Sequence, residues 1–112
     1  MLRTIGKPAL IDVSEDASNS VAVKTDGMLL SAIVFPAAMT GAAVTFDFSF
    51  DGSTWVDVVE TDGTEVSYTV SAGNVTRVDP SGWAFATPGF VRVSSDATEL
   101  ADRNIQLIFK QS

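Results

Sequence analysis

The side chains of this sequence whose chemical types and spacing could support catalysis or metal binding are carboxylates. Asp47, Asp51 and Asp57 lie close together around an Asp51-Gly52 dipeptide, and a hairpin at that dipeptide would bring them to one side. Two carboxyls at a set separation in a cleft can hydrolyse glycosidic bonds, and six or more converging oxygens can bind calcium. The sequence matches no calcium-loop spacing. We therefore interpret these acids as the solvated outer face of a sheet and expect no metal site.

The groups that usually assist catalysis are missing. The 112 residues include no histidine and no cysteine, which removes the commonest general base, thiol nucleophiles and thiolate metal ligands. No Gly-x-Ser-x-Gly elbow occurs, and the glycines stand singly rather than as a phosphate cradle. A serine–lysine pair would need Lys7, Lys24 or Lys110, which all lie at or near the ends of predicted segments. We expect no enzymatic activity and no cofactor.

Aromatic side chains are the remaining candidates for a binding site. Trp55, Tyr68, Trp83 and Phe85 could form a platform on which sugar rings stack. Trp83 and Phe85 lie in a segment bracketed by two prolines, and loops of this kind often carry binding residues. The alternative, which we prefer, is that both rings plug one end of a small β domain.

The strand that must position the carboxylates is the clearest pattern in the chain. Between residues 44 and 50, valine and phenylalanine alternate with polar residues, which is the period of a half-buried strand. A two-residue loop at the following Asp51-Gly52 would set Phe46 against Asp57. A three-residue loop instead pairs the phenylalanines with apolar residues of the next strand. We therefore predict the longer loop.

This register also predicts where the neighbouring side chains point. Gly52 should adopt the left-handed conformation that such a loop needs. Trp55 and Asp57 then fall on the outer face of the sheet, beside Asp47. Two alternatives remain for Trp55: a bulge could swing the indole inward, or a partner subunit could bury it.

Strand-like segments separated by turn residues recur along the whole chain. They cover residues 10–13, 21–24, 28–35, 43–50, 55–59, 66–70, 75–79, 90–94 and 105–110. The segment 28–35 is apolar on both faces, as is typical of a central strand, and only residues 97–103 could hold a helical turn or two. The pattern predicts an all-β protein, an antiparallel β-sandwich or jelly roll of eight or nine short strands.

The first twenty residues allow two interpretations. Leu2 and Ile5 belong to a set of apolar residues spaced by polar ones, so the segment could be an extended arm that adds a strand to a neighbouring molecule. It could equally form the first strands of the same sandwich. We therefore divide the chain into residues 1–20, an N-terminal arm or first strands, and residues 21–112, the β-sandwich domain.

The charge distribution excludes several classes of partner. Fourteen acidic and seven basic side chains give a net charge of −7, and no basic residue stands between Lys24 and Arg77. Such a surface repels nucleic acids and anionic lipid, so we expect neither to be a partner. The sequence begins without the apolar run of a secretory signal, and no stretch is long enough to span a bilayer.

Part of the chain resembles the discoidin-like, galactose-binding-type sandwiches. Residues 49–58, Ser-Phe-Asp-Gly-Ser-Thr-Trp-Val-Asp-Val, are similar to the Ser-x-Asp-Gly-x-x-Trp hairpin of that fold, and Phe90-Val91-Arg92-Val93 is similar to a later strand. The resemblance implies a galactose-binding-like scaffold and says nothing of ligand loops. The tryptophan of that hairpin is usually interior, whereas our register places Trp55 outside.

A wider resemblance is to small virion proteins of tailed bacteriophages. Its motifs are Ile-Val-Phe-Pro at 33–36, Asp-Gly-Ser-Thr-Trp at 51–55, Phe-Val-Arg-Val at 90–93 and Asp-Arg-Asn-Ile-Gln-Leu at 102–107. It implies a capsid decoration (cement) protein on the outer surface of the virion, bound to the major capsid protein and forming a homo-oligomer, with a trimer favoured. The alternative is a carbohydrate- or receptor-binding module of a fibre or tail, with a glycan ligand. Candidate contact residues are Leu2, Ile5, Trp55, Trp83 and Phe85.

Overall fold

The computed structural model describes residues 3–86 and 88–111, and these form nine strands and one short 3₁₀ helix. The strands are β1 (Thr4–Ile11), β2 (Val23–Lys24), β3 (Leu29–Val34), β4 (Ala43–Ser49), β5 (Val56–Asp57), β6 (Ser67–Thr69), β7 (Val75–Arg77), β8 (Phe90–Ser95) and β9 (Arg103–Lys110). The 3₁₀ helix, Pro80–Ala86, lies between β7 and β8. The prediction of an all-β protein with eight or nine strands is confirmed.

The strands form two antiparallel sheets. The first sheet has the order β1-β9-β3-β7, and the second has the order β2-β8-β4-β5, with β6 also paired to β4. Side chains alternate along the inner strands, so that Ile105, Leu107 and Phe109 of β9 are at most 1% exposed. Opposite them, Phe46 of β4 and Val93 of β8 are fully buried. The core therefore lies between the two sheets, as in a sandwich.

Strand β3 occupies the interior position that its apolar sequence predicts, between β9 and β7. Its pairing with β9 shifts register between Leu30 and Ala32. The extra residue, Ser31, lets Leu30 and Ile33 both face the core although they are three positions apart.

The N-terminal segment forms a strand of this chain's own sandwich. β1 pairs with β9 along its whole length, from Thr4 opposite Lys110 to Ile11 opposite Arg103. Of the two interpretations of residues 1–20, this is the arrangement of an ordinary first strand, and the strand begins earlier than the run 10–13 that we predicted. Ile5 is half-buried and packs against the core. Leu2 lies outside the described residues.

The helical turn forms in a different place from the one that we predicted. Residues 97–103 contain no helix, whereas Pro80–Ala86, which we predicted to be a loop, forms the 3₁₀ helix. Pro80 supplies a φ angle suited to a first helical position, and the Asp79 carboxylate accepts from the Ser81 amide at 3.1 Å. In the 97–103 segment, Glu99 points inward and binds backbone amides of another loop, which holds the chain in an irregular path.

The β4–β5 hairpin has the register that we predicted. Asp47 lies opposite Asp57 and Phe48 opposite Val56, which agrees with the predicted pairing. The two strands are joined by residues 50–55, however, rather than by a three-residue loop. Gly52 has a φ of 84°, so the left-handed conformation expected there is confirmed.

We expect the substitution Gly52→Ala to lower the free energy of unfolding by about 1–2 kcal/mol, because a side chain disfavours the left-handed region by that amount. An added Cβ would meet only ordinary contacts, the nearest 3.5 Å from the Phe90 ring, so the loss should reflect backbone conformation. Urea unfolding measures it, with Ser53→Ala as the matched loop control. Equal stabilities of the two variants would contradict the assignment.

Candidate functional site

Four large apolar side chains are exposed together at one edge of the second sheet, and we call them the apolar edge patch. Phe50, Val56, Val59 and Phe85 are 80%, 58%, 50% and 49% exposed, respectively. They line one open cavity of about 360 Å³ with Phe48, Asp57 and Val58. Small soluble proteins rarely expose so many large apolar groups in one place unless a partner covers them.

The position of Phe50 differs from the sequence prediction, which placed it in the buried row of β4. The strand ends at Ser49, and the chain turns away before it can direct the Phe50 ring between the sheets. Phe50 instead packs edge-on against Phe48, with ring centroids 4.8 Å apart. Phe48 also contacts Phe85 at 5.4 Å, so one buried ring supports two exposed ones.

The hairpin loop that presents Phe50 is held by a carboxylate. Asp51 accepts hydrogen bonds from the amides of Thr54 and Ser53, at 2.9 and 2.8 Å, and from the Ser49 hydroxyl at 2.9 Å. These bonds lower the pKa of Asp51 to about 2. A carboxyl that stays ionised and accepts all three of these bonds at Oδ1 from its own loop is an organising group rather than an acid–base catalyst.

Asp47 and Asp57 share one face of the hairpin, as we predicted, but Asp47 is not a solvated acid. It is 8% exposed and accepts a hydrogen bond from Arg92 Nε at 2.8 Å and from Ser94 Oγ at 3.3 Å. The prediction of a fully solvated acidic face is therefore wrong at this residue, because Arg92 arrives from β8, the neighbouring strand.

Trp55 lies on the outer face of the sheet, half-buried, as the register predicted. Its ring covers the Arg92 guanidinium, whose Cζ lies 4.6 Å from the ring centroid. This is a cation–π contact, and it shields the Arg92–Asp47 ion pair from water. No inward swing occurs, and burial of Trp55 against a partner stays a prediction.

Trp83 and Phe85 divide between core and surface. Trp83 is 4% exposed and packs on Phe46 with centroids 4.9 Å apart, as the plug interpretation requires. Phe85 stacks on Trp83 at 5.8 Å and leaves half of its surface open. Burial raises the pKa of Tyr68, whose hydroxyl forms a hydrogen bond with the Trp83 side chain. Trp83 is thus placed as a support for the apolar edge patch, and its face is closed to a stacked sugar.

Sequence reasoning missed the contribution of Val56 and Val59 to this surface. Both belong to the run Val56-Asp57-Val58-Val59, which resembles an ordinary apolar strand. β5 is two residues long and lies at the sheet edge, so that of this run Val58 alone is buried. The pattern that could have predicted this exposure is a short strand after a loop, with valines on both of its faces.

Two other features, a metal-binding cluster and a membrane-spanning helix, are absent from the part of the chain that the structure describes. Within residues 3–86 and 88–111, no three acidic, histidine or cysteine side chains converge in a way that could hold a metal ion. Over the same ranges, no helix has the length and hydropathy needed to cross a membrane.

Comparison with known proteins finds a similarity in fold and none in sequence. No protein-family model matches it. No curated protein sequence is significantly similar to it. Among solved structures, it is similar to the crystal structure of the SPBc2 prophage-derived protein YomS, with a TM-score of 0.58 and 11% sequence identity. That alignment covers 99% of this chain and 96% of the other, so the two proteins share the fold from end to end.

Proposed function

We propose that this protein is a structural component of a tailed-phage particle: a decoration (cement) protein on the outer surface of the capsid. In this role it binds the major capsid protein and further copies of itself, with a trimer as the favoured oligomer. It reinforces the shell through contacts between proteins and carries out no reaction.

The observation that carries this proposal is the apolar edge patch. Phe50, Val56, Val59 and Phe85 offer the apolar centre that a protein–protein contact needs, and the ordered loop of Asp51 holds Phe50 in place. A surface already fixed in the free protein loses little conformational entropy when it docks.

Two further observations agree with a structural role in a phage. The fold is shared over nearly the whole length of both chains with a prophage-derived protein, which supports a phage origin. Three carboxylates, Asp47, Asp51 and Glu99, accept hydrogen bonds from backbone amides or from an arginine. They therefore stabilise the fold, which agrees with a structural role.

The experiment that tests this function is co-sedimentation with particles of the phage that carries this gene, prepared without the protein. We expect saturable binding at a fixed ratio to the capsid subunit and a higher temperature of shell disruption. The double variant Phe50→Ser/Phe85→Ser should bind at least about tenfold more weakly, which is the effect of losing about 1.4 kcal/mol.

Leu100→Ser is the matched control, because Leu100 is 81% exposed and is not among the residues that line the cavity of the patch. It should bind like the wild type. Failure of the wild-type protein to bind such particles would contradict the proposal. A saturable ligand on a glycan array, together with that failure, would favour the carbohydrate-binding alternative.

A further inference from the structure

The edge that carries the apolar edge patch is also strongly acidic. Asp57, Glu60, Asp62 and Glu65 are exposed there, on β5 and on the hairpin that leads to β6. Among the described residues, none of the four belongs to an ion pair. We call these four residues the acidic rim. Any surface that covers the patch must bring positive charge to it.

The opposite edge of the sandwich carries a group of basic side chains. Lys7 of β1 donates to the Lys24 carbonyl at 2.6 Å and pairs with Asp26. Arg3 immediately precedes β1, and the alternation of the strand places it on the same face as Lys7. The hydrogen bond from Lys7 holds the pKa of Asp26 below its usual range, and the charges of Lys24 and Arg3 act in the same direction. We call Arg3, Lys7 and Lys24 the basic edge.

The strand order places these two surfaces on different sides of the molecule. β2 and β5 are the two ends of the second sheet, separated by β8 and β4. With strands about 4.8 Å apart, the two edges lie roughly 14 Å apart and face in opposite directions. β1 lies beside β2, so the basic edge combines strands of both sheets.

The basic edge also has a shape that can receive the patch. Gly6 and Pro8 are exposed on β1 between the cations, and neither has a long side chain. The Gln111 amide donates to the Arg3 carbonyl, so alternate residues of β1 starting at Arg3 bond to β9. Thr4 and Gly6 therefore direct their backbone groups outward, and Pro8 has no amide to satisfy.

These charges decide between two ways of pairing copies of the chain. A two-fold contact of patch with patch would place one acidic rim against the other, and like charges that face each other in an interface disfavour it. A head-to-tail contact places the acidic rim against the basic edge. Contacts of this heterologous kind close into rings when the rotation between copies permits.

We infer that copies of this chain associate head to tail, with the apolar edge patch and acidic rim of one copy docked on the basic edge of the next. This inference deepens the proposed function and rests on it for the expectation of an oligomer. Beyond the proposed function, it specifies which two surfaces meet, that the contact is head to tail, and that the association weakens as salt rises.

The test measures mass in solution by sedimentation equilibrium, using the full chain. The wild type should form one discrete oligomer that dissociates more readily as NaCl rises from about 50 to 500 mM. Phe50→Ser/Val56→Ser removes the patch, and Lys24→Glu/Arg3→Glu reverses the basic edge. Each double variant alone should associate at least about tenfold more weakly.

Mixing the two double variants gives the decisive measurement. Each retains the surface that the other has lost, so an equimolar mixture should form a heterodimer and no larger species. Leu100→Ser and Arg77→Glu are the controls for loss of an exposed apolar side chain and for charge reversal, and both should associate like the wild type. Far-ultraviolet circular dichroism checks that every variant is folded.

Three results would overturn the inference. One is a wild-type monomer at all concentrations. Another is a Lys24→Glu/Arg3→Glu variant that associates normally while the patch variant does not, because that indicates patch-to-patch pairing. The third is a mixture that stays monomeric. A monomer that still coats particles would contradict this inference and the self-association in the proposed function, and would leave binding to the capsid standing. An oligomer that fails to bind particles would leave this inference standing and contradict binding to the capsid.

Discussion

Replacing Glu99 with alanine should lower the free energy of unfolding by about 3–5 kcal/mol, the usual result of removing one partner from a buried ion pair. The Glu99 side chain is fully buried and accepts from the Thr40 and Gly41 amides, each at 2.8 Å. It also accepts from the Ser95 hydroxyl at 2.7 Å and from Arg103 Nε at 2.8 Å. The alanine variant leaves all four donors without this acceptor.

Guanidinium unfolding of matched variants measures this effect. Glu65→Ala removes an exposed carboxylate and should change stability by less than about 0.5 kcal/mol. Glu99→Gln keeps the shape of the side chain and should fall between the two. A loss of less than about 1 kcal/mol in Glu99→Ala would contradict the proposed role of this carboxylate.

The same residue predicts how stability depends on pH. Burial alone would raise the pKa of Glu99, but the bonds from the Thr40 amide, Ser95, Arg103 and the Gly41 amide outweigh it and lower the pKa from 4.5 to about 2. Because the folded-state pKa is depressed, the contribution is complete above pH 4.5 and is lost as pH falls towards 2. It amounts to about 3 kcal/mol.

Unfolding at pH 6 and pH 3 should show about 2 kcal/mol of this loss in the wild type, because pH 3 still lies above the folded-state pKa of about 2. Glu99→Gln cannot titrate at this position, so its stability should fall less over the same interval. The difference between the two proteins isolates Glu99 from the other carboxylates. Parallel curves for the two proteins would show that the Glu99 pKa is not depressed.

The second large effect is expected from Trp83→Ala, which should lower the free energy of unfolding by about 3–5 kcal/mol. Trp83 is 4% exposed, contacts Phe46 and stacks under Phe85, so truncation opens a cavity that these neighbours line. Phe85→Ala, two residues further along the same helix, removes a ring that is 49% exposed and should cost only about 1 kcal/mol.

Thermal unfolding of this pair compares a buried ring with an exposed one on the same 3₁₀ helix. Similar losses in the two variants would contradict the division between core and surface. The comparison also fixes which variant is useful for binding experiments. Phe85→Ala preserves the fold and tests the patch, whereas Trp83→Ala would confuse lost binding with unfolding.

Much of the architecture was predictable from local sequence patterns. The alternation from Val44 to Phe50 and the Asp51-Gly52 turn together determine the hairpin register, because a shift by one residue would bury Asp57 against Phe46. The apolar run around β3 predicts a central strand for a similar reason. Each of these inferences depends on residues that are near neighbours in the sequence.

The candidate site was predictable only in part. Phe85 was named as a contact residue, but Phe50 was assigned to the core, and Val56 and Val59 were not singled out. Alternation shows which residues can share a face. It does not show where a strand stops or whether a second layer covers that face.

By itself, the sequence determined the all-β class, the hairpin register, the left-handed Gly52 and the acidic stretch without a basic residue. Only the tertiary structure decided that Arg92 buries Asp47 and that Glu99 is enclosed by the loop at Thr40 and Gly41. It also placed acidic and basic surfaces at opposite edges. The physical reason is range: turns and alternation are local, whereas ion pairs and exposure depend on strands that meet from distant parts of the chain.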